Sequence, residues 1–116
     1  MIHEMTLHLS PFLMIKSGQK TIEMRLYDEK RKSISVGDQI CFSLRDNPKE
    51  TILTEVVSIS VFDSFEKLYD AFPLSALGYK EEEYQTASYL DMGQYYSPKE
   101  QAACGVVGIG IRLIEH

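Results

Sequence analysis

The chain predicts an α+β fold: a small, mostly antiparallel β-barrel with short helices on its outside. Three observations carry this. Apolar and polar residues alternate through short segments near 2–9, 20–27, 39–44, 51–61 and 106–114, the period of half-buried strands. Helix-start signals at 10–11, 63–66 and 97–100 fall between or beside them, with little room for the long crossovers of a parallel sheet. The 116 residues suffice for one sizeable core and not for two, so residues 1–116 are expected to form a single domain.

Each element has a local reason. Met5, Leu7 and Leu9 share one side of the first strand, with Glu4, Thr6 and His8 on the other. Ser10-Pro11 reads as the N-cap and first position of a short helix. Phe12, Leu13 and Ile15 are its apolar stripe, and Gly18 its left-handed stop. The strand 20–27 follows directly. Asp28 to Ser33 is expected to be a charged loop, its Lys30-Arg31-Lys32 run either a solvated turn or a lip that contacts phosphate. Val36-Gly37-Asp38 turns into strand 39–44, and residues 45–50 make a hairpin-type connection to the β-branched strand 51–61.

Asp63 as N-cap, with Glu66 completing a capping box, opens a helix whose core stripe is Phe65, Leu68, Tyr69 and Phe72; Pro73 ends it. Between 74 and 96, Lys80 to Glu83 begins a short helix and Tyr89 to Gln94 forms another turn or two. Ser97-Pro98-Lys99-Glu100 is the clearest helix start in the chain, and that helix stops near Cys104-Gly105. Val107, Ile109, Ile111 and Leu113 then alternate through a closing strand.

Composition narrows the function classes. Hydrophobic content of 44% and charged content of 25% are ordinary for a soluble globular chain. No apolar run approaches the roughly 20 residues that span a bilayer, so no membrane contact is expected, and no secretory leader is expected either. Cys41 and Cys104 are isolated and read as reduced core residues of a cytoplasmic protein, Cys104 having no neighbouring histidine to activate it. A net charge of −5 argues against duplex DNA or any broad nucleic-acid surface. It leaves room for a small positive cleft that takes one nucleotide or one phosphate. His3, His8 and His116 form no site, and no metal spacing, glycine-rich phosphate loop, dinucleotide fingerprint or nucleophile elbow is present. No metal or cofactor is therefore expected.

The segment Gly18-Gln19-Lys20-Thr21-Ile22-Glu23-Met24-Arg25 concentrates the chemistry. Thr21, Glu23, Arg25 and Tyr27 alternate with Ile22, Met24 and Leu26, so one face is polar and the other apolar. Lys20 is either an ordinary turn lysine or a cleft lysine able to act as base, nucleophile or point donor to phosphate. Glu23 and Arg25 share a face, as a structural ion pair or as a pair that reads a base edge and holds phosphate. Thr21 and Tyr27 would add hydroxyl contacts. Five of the seven tyrosines lie between Tyr79 and Tyr96. They either seal an irregular segment over the barrel or offer stacking surfaces for bases, Tyr95 and Tyr96 foremost.

The pattern G-x-K-x-x-E-x-R, carried by Gly18, Lys20, Glu23 and Arg25, resembles the signature of the ASCH domain family, relatives of the RNA-binding PUA fold. The resemblance covers nearly the whole chain. It implies a PUA-like barrel whose cleft, bounded by the first helix and the signature strand, is lined by Lys20, Glu23 and Arg25 and takes RNA or a small nucleoside or nucleotide. One bacterial branch with a similar Gly-x-Lys-Thr segment removes the acyl group from N4-acetylcytidine. It uses the signature lysine, a threonine where this chain has Glu23, and a further glutamate for which no counterpart stands between 72 and 80. Two functions follow as expectations: a binding module without turnover, or a small amidohydrolase in which Lys20 activates the nucleophile and Glu23 moves the proton.

Overall fold

Along the chain run β1 (Ile2–Leu7), α1 (Leu9–Lys16), β2 (Ile22–Leu26), α2 (Glu29–Lys32), β3 (Gln39–Leu44), β4 (Asn47–Phe62) and α3 (Phe65–Ala71). Two 3-10 turns (Glu81–Glu83 and Tyr89–Gln94), α4 (Pro98–Cys104) and β5 (Val106–Leu113) complete it. The structure is a computed structural model that describes residues 1–114; His116, read above as outside any site, lies outside the described residues.

The five strands form one sheet in the order β1-β3-β4-β5-β2. β1 pairs with β3 in parallel, and the other three neighbour pairs are antiparallel. The sheet curls into a half-barrel whose two edges, β1 and β2, are not paired with each other. Inside the curl, Met5, Leu7, Ile40, Phe42, Val56, Ile109 and Ile111 pack with Phe12 and Ile15 of α1. A second cluster packs on β2: Ile22, Met24 and Leu26 against Phe65 and Leu68 of α3, Leu77 and Met92. One face of β2 is therefore covered, and by alternation Glu23 and Arg25 turn to the other, toward the gap between the two edges.

Local details depart from the sequence expectations for identifiable reasons. α1 begins at Leu9 with His8 as an N-cap whose side chain makes no cap bond, so Ser10 does not cap it. Pro11 sits inside the first turn, where its missing N–H has no intrahelical role. The buried side of α1 is Phe12, Met14 and Ile15, while Leu13 is 51% exposed. Residues 28–33 are not a plain loop: Asp28 accepts from the Arg31 N–H and caps the single turn of α2. The hairpin connection shrinks to two residues because a register shift at Ser43/Leu44 lets Asn47 pair with Leu44. Ser64, not Asp63, caps α3; Asp63 instead pairs with Lys67 at 3.1 Å. This frame buries Phe65 and Leu68 completely and leaves Phe72 extended ahead of Pro73. The capping box of α4 forms as read, with Ser97 accepting from Glu100 N–H and Glu100 from Ser97 N–H.

Candidate ligand-binding cleft

Three charges meet at the unpaired edge. Glu23 is 3% exposed and Lys20 8%. Lys20 Nζ lies 3.1 Å from Glu23 Oε1, which also accepts from the Met24 backbone N–H at 3.2 Å. Arg25 donates from Nε to Glu23 Oε2 at 2.9 Å, and its Nη2 is ion-paired with the same oxygen at 2.8 Å. Its Nη2 also donates to the Thr6 carbonyl at 2.9 Å, so one guanidinium bridges the two edges that the sheet leaves apart. Burial alone would push the Glu23 carboxyl up, but the charges of Lys20 and Arg25 outweigh it and hold the carboxyl below the usual range. Burial works against the Arg25 cation, and Glu23, with the Tyr96 hydroxyl beside it, reverses that and raises its pKa.

This cluster forms the inner wall of a cleft of about 930 Å³. The end of β1, the start of α1 and the segment 77–96 form its other walls. Gly78, at φ +102°, lies flat on the lysine stem: a Cβ there would stand 2.9 Å from Lys20 Cδ. Opposite the charges, Tyr79 donates to Asp91 Oδ2 at 2.7 Å and shares a hydrogen bond with the Tyr69 hydroxyl at 2.8 Å. Burial, followed by these bonds to Asp91 and Tyr69, keeps the Tyr79 phenol far above its ordinary pKa. Gly78→Ala is expected to lower stability by about 1–3 kcal/mol through backbone strain and to displace the Lys20 ammonium. Denaturant melts check the first effect, and a weakened ligand response checks the second.

The residues singled out in the sequence are distributed unevenly. Lys20, Glu23, Arg25, Tyr95 and Tyr96 line the cleft. Gly18 and Thr21 border a smaller hollow of about 250 Å³ with Ile111 and Leu113, and Tyr27 packs against the interior cluster beneath Lys32. Gly18, at φ +86°, is the helix stop that was expected. Tyr96 stacks on Phe65 at 6.0 Å and is half-buried, while Tyr95 is 48% exposed. The Lys30-Arg31-Lys32 run is spent locally: Lys30 donates to the Glu4 carbonyl and Arg31 pairs with Asp28. Sequence reasoning missed Gly78, Tyr69, Asp91, Arg45 and His8 and offered Tyr79 only as one of five tyrosines that could seal the segment or stack on bases; all six line the cleft. The Gly78-Tyr79 pair at the close of an irregular apolar stretch was the one local signal available. Among the described residues no group of three or more His, Cys, Asp or Glu could hold a metal ion, and no helix is long and apolar enough to cross a membrane. Cys41 and Cys104 are free and partly exposed.

A curled five-strand half-barrel, flanked by short helices and carrying a charged cleft at its open seam, defines a PUA-like protein. The chain belongs to the ASCH domain family, whose model matches residues 5–115. Among solved structures it is similar to the hypothetical protein PH0355, at 34% identity and TM-score 0.80 over 98% of this chain and 100% of that one. It is also similar to protein PF0455 from Pyrococcus furiosus, at 32% identity and TM-score 0.68 over 100% of both chains. An ASCH protein from Zymomonas mobilis shares the fold at 20% identity and TM-score 0.61, over 94% of this chain and 66% of that one. No match to a curated protein is found.

Proposed function

We propose that the cleft binds a nucleotide, free or as one unit of single-stranded RNA, and that Lys20 is its principal donor. One observation carries this reading: the buried Glu23 carboxylate accepts hydrogen bonds from the Met24 N–H and Arg25 Nε and is ion-paired to both Lys20 and Arg25. Glu23 then serves to hold two cations in fixed positions. Lys20 Nζ spends one of its three N–H bonds on Glu23 among the described residues, which leaves two for a phosphate, a ribose hydroxyl or a base carbonyl. The mixed polarity of the cleft, cationic at its floor and hydroxyl-rich and acidic at Tyr79 and Asp91, suits a ligand with both acceptors and donors. The net charge of −5 keeps recognition local.

A second reading, amidohydrolysis of an acylated nucleoside, gains from one contact. Asp91 accepts from Tyr79 and from Ser88 N–H through Oδ2 alone, so it is a cleft carboxylate with an oxygen to spare. In that reaction water adds to the acyl carbon, the C–N bond breaks, the amine takes a proton, and the carboxylate product leaves. The commitment of Glu23 to two cations favours binding over this chemistry. A thermal-shift series with ribonucleosides, ribonucleotides and short single-stranded RNAs tests the first reading. Stabilisation by none of them would sink it. Incubation with N4-acetylcytidine, read for cytidine, tests the second, and lysine-dependent release would reverse the preference.

A further inference from the structure

Resting on the nucleotide reading above, we infer that the outer lip of the cleft, built by Arg45 and His8 with Tyr95 behind them, is a subsite for the phosphate monoester of that nucleotide. Arg45 occupies the two-residue turn between β3 and β4, and its backbone N–H donates to the Leu7 carbonyl at 2.8 Å. The turn is thereby tied to the end of β1, and the guanidinium stands beside the residue that follows that strand. Arg45 Nη1 lies 3.3 Å from His8 Nε2, the one side-chain partner it has among the described residues. The His8 ring is stacked with Tyr95 at 6.1 Å and an interplanar angle of 30°. All three residues line the cleft and are exposed at its mouth.

The chemistry of this lip differs from that of the floor. Arg25 is committed to Glu23 and Thr6, and Lys20 has Glu23 within contact. Arg45 has no carboxylate partner among the described ion pairs. Its planar fork retains the donors that match two phosphate oxygens. A guanidinium beside an imidazole in open water gains little from that contact, so exchanging it for a phosphate gives up little and gains charge-assisted bonds. Of the cleft carboxylates, Glu23 is taken up by Lys20 and Arg25, while Glu82, Glu83 and Asp91 come from the segment after Tyr79, where they accompany the cleft's other exposed cation, Lys80, so the anion belongs at the Arg45 end. The base then lies deeper, between Lys20 and Tyr79, and the ligand class narrows from any nucleotide, free or within RNA, to one that carries a phosphate monoester.

The test uses the full chain and two probes. Inorganic phosphate is titrated at constant ionic strength while the His8 ring signals are followed by NMR, assigned by their loss in His8→Gln. In parallel, the four ribonucleosides and their 5′-monophosphates are compared by calorimetry, with wild-type protein and with Arg45→Ala, whose exposed side chain can be removed without opening the core. The His8 signals are expected to move saturably with phosphate and not with chloride. The monophosphates are expected to bind at least about tenfold more tightly than the nucleosides, and Arg45→Ala to erase that preference. A His8 signal unmoved by phosphate, or a preference that survives Arg45→Ala, overturns the phosphate subsite even where nucleosides bind. Phosphate capture at His8 and Arg45 with no response to any nucleoside or nucleotide leaves the anion-binding lip standing and removes the nucleotide that it was inferred to serve.

Discussion

Replacing Glu23 with glutamine is expected to destabilise the protein by about 3–5 kcal/mol, because it strands two buried cations without their counter-charge. Few substitutions in this chain should do as much. Lys20 and Glu23 are both less than a tenth exposed, and Arg25 reaches from Glu23 to the Thr6 carbonyl across the unpaired seam. The loss would appear as a fall in melting temperature of at least about 10 °C. It also has a pH signature. The folded-state pKa of Glu23 lies below its ordinary value of 4.5, so between the two values the unfolded chain binds more protons. The contribution of Glu23 to stability is therefore complete above about pH 4.5 and disappears as pH falls through the folded-state value. Asp38, held low by the hydrogen bond from His3 and the Ser35 backbone N–H, acts in the same sense. Wild type should lose stability on acidification, and Glu23→Gln should lose less, having already forfeited its larger share. A penalty below about 1 kcal/mol, with an unchanged acid limb, would mean that the cluster behaves as a solvated surface pair.

The seam also shows what the sequence made legible and what it withheld. Alternation gave the strands, since a two-residue period survives in any sheet that buries a face. The start of α4 was legible because Ser97, Pro98 and Glu100 each satisfy a helix-end requirement by themselves. The caps slipped by two positions at α1, from Ser10 to His8, and by one at α3, from Asp63 to Ser64: the buried Phe12, Phe65 and Leu68 set the helical frame, and the nearest side chain then took whatever role the frame left. Lys20, Glu23 and Arg25 could be proposed as a group because spacing puts 23 and 25 on one face. Thr21 and Tyr27 share that parity but not that destination. Thr21 precedes β2, with its backbone tied to Ala76 and Ile111, and Tyr27 follows the strand end. Tyr69, Tyr79, Asp91, Arg45 and His8 come from four separate stretches of chain. Their convergence depends on how the segment 77–96 and the β3–β4 turn close over the seam, which no local pattern encodes.

Lys20→Met should abolish the ligand response while leaving the fold near wild-type stability. Methionine keeps an unbranched apolar stem beneath Gly78, where the lysine stem packs now. Glu23 keeps both contacts from Arg25 and the Met24 N–H, so one carboxylate and one guanidinium remain paired. Exchanging a buried charge for apolar volume is then nearly neutral for folding, within about 1 kcal/mol. Binding suffers differently, because the two N–H bonds that Lys20 holds toward the cleft have no substitute. At about 1.5–3 kcal/mol for each charge-assisted bond, losing two weakens affinity by at least about a hundredfold. Combining the substitutions separates the roles further. Glu23→Gln in a Lys20→Met background strands one cation and not two, so its penalty should shrink by about 1 kcal/mol or more. Calorimetry with a nucleoside monophosphate and melts of the four variants read both effects. Full affinity in Lys20→Met would take the lysine out of recognition, and additive penalties in the double variant would take Lys20 out of the ionic cluster that holds the seam.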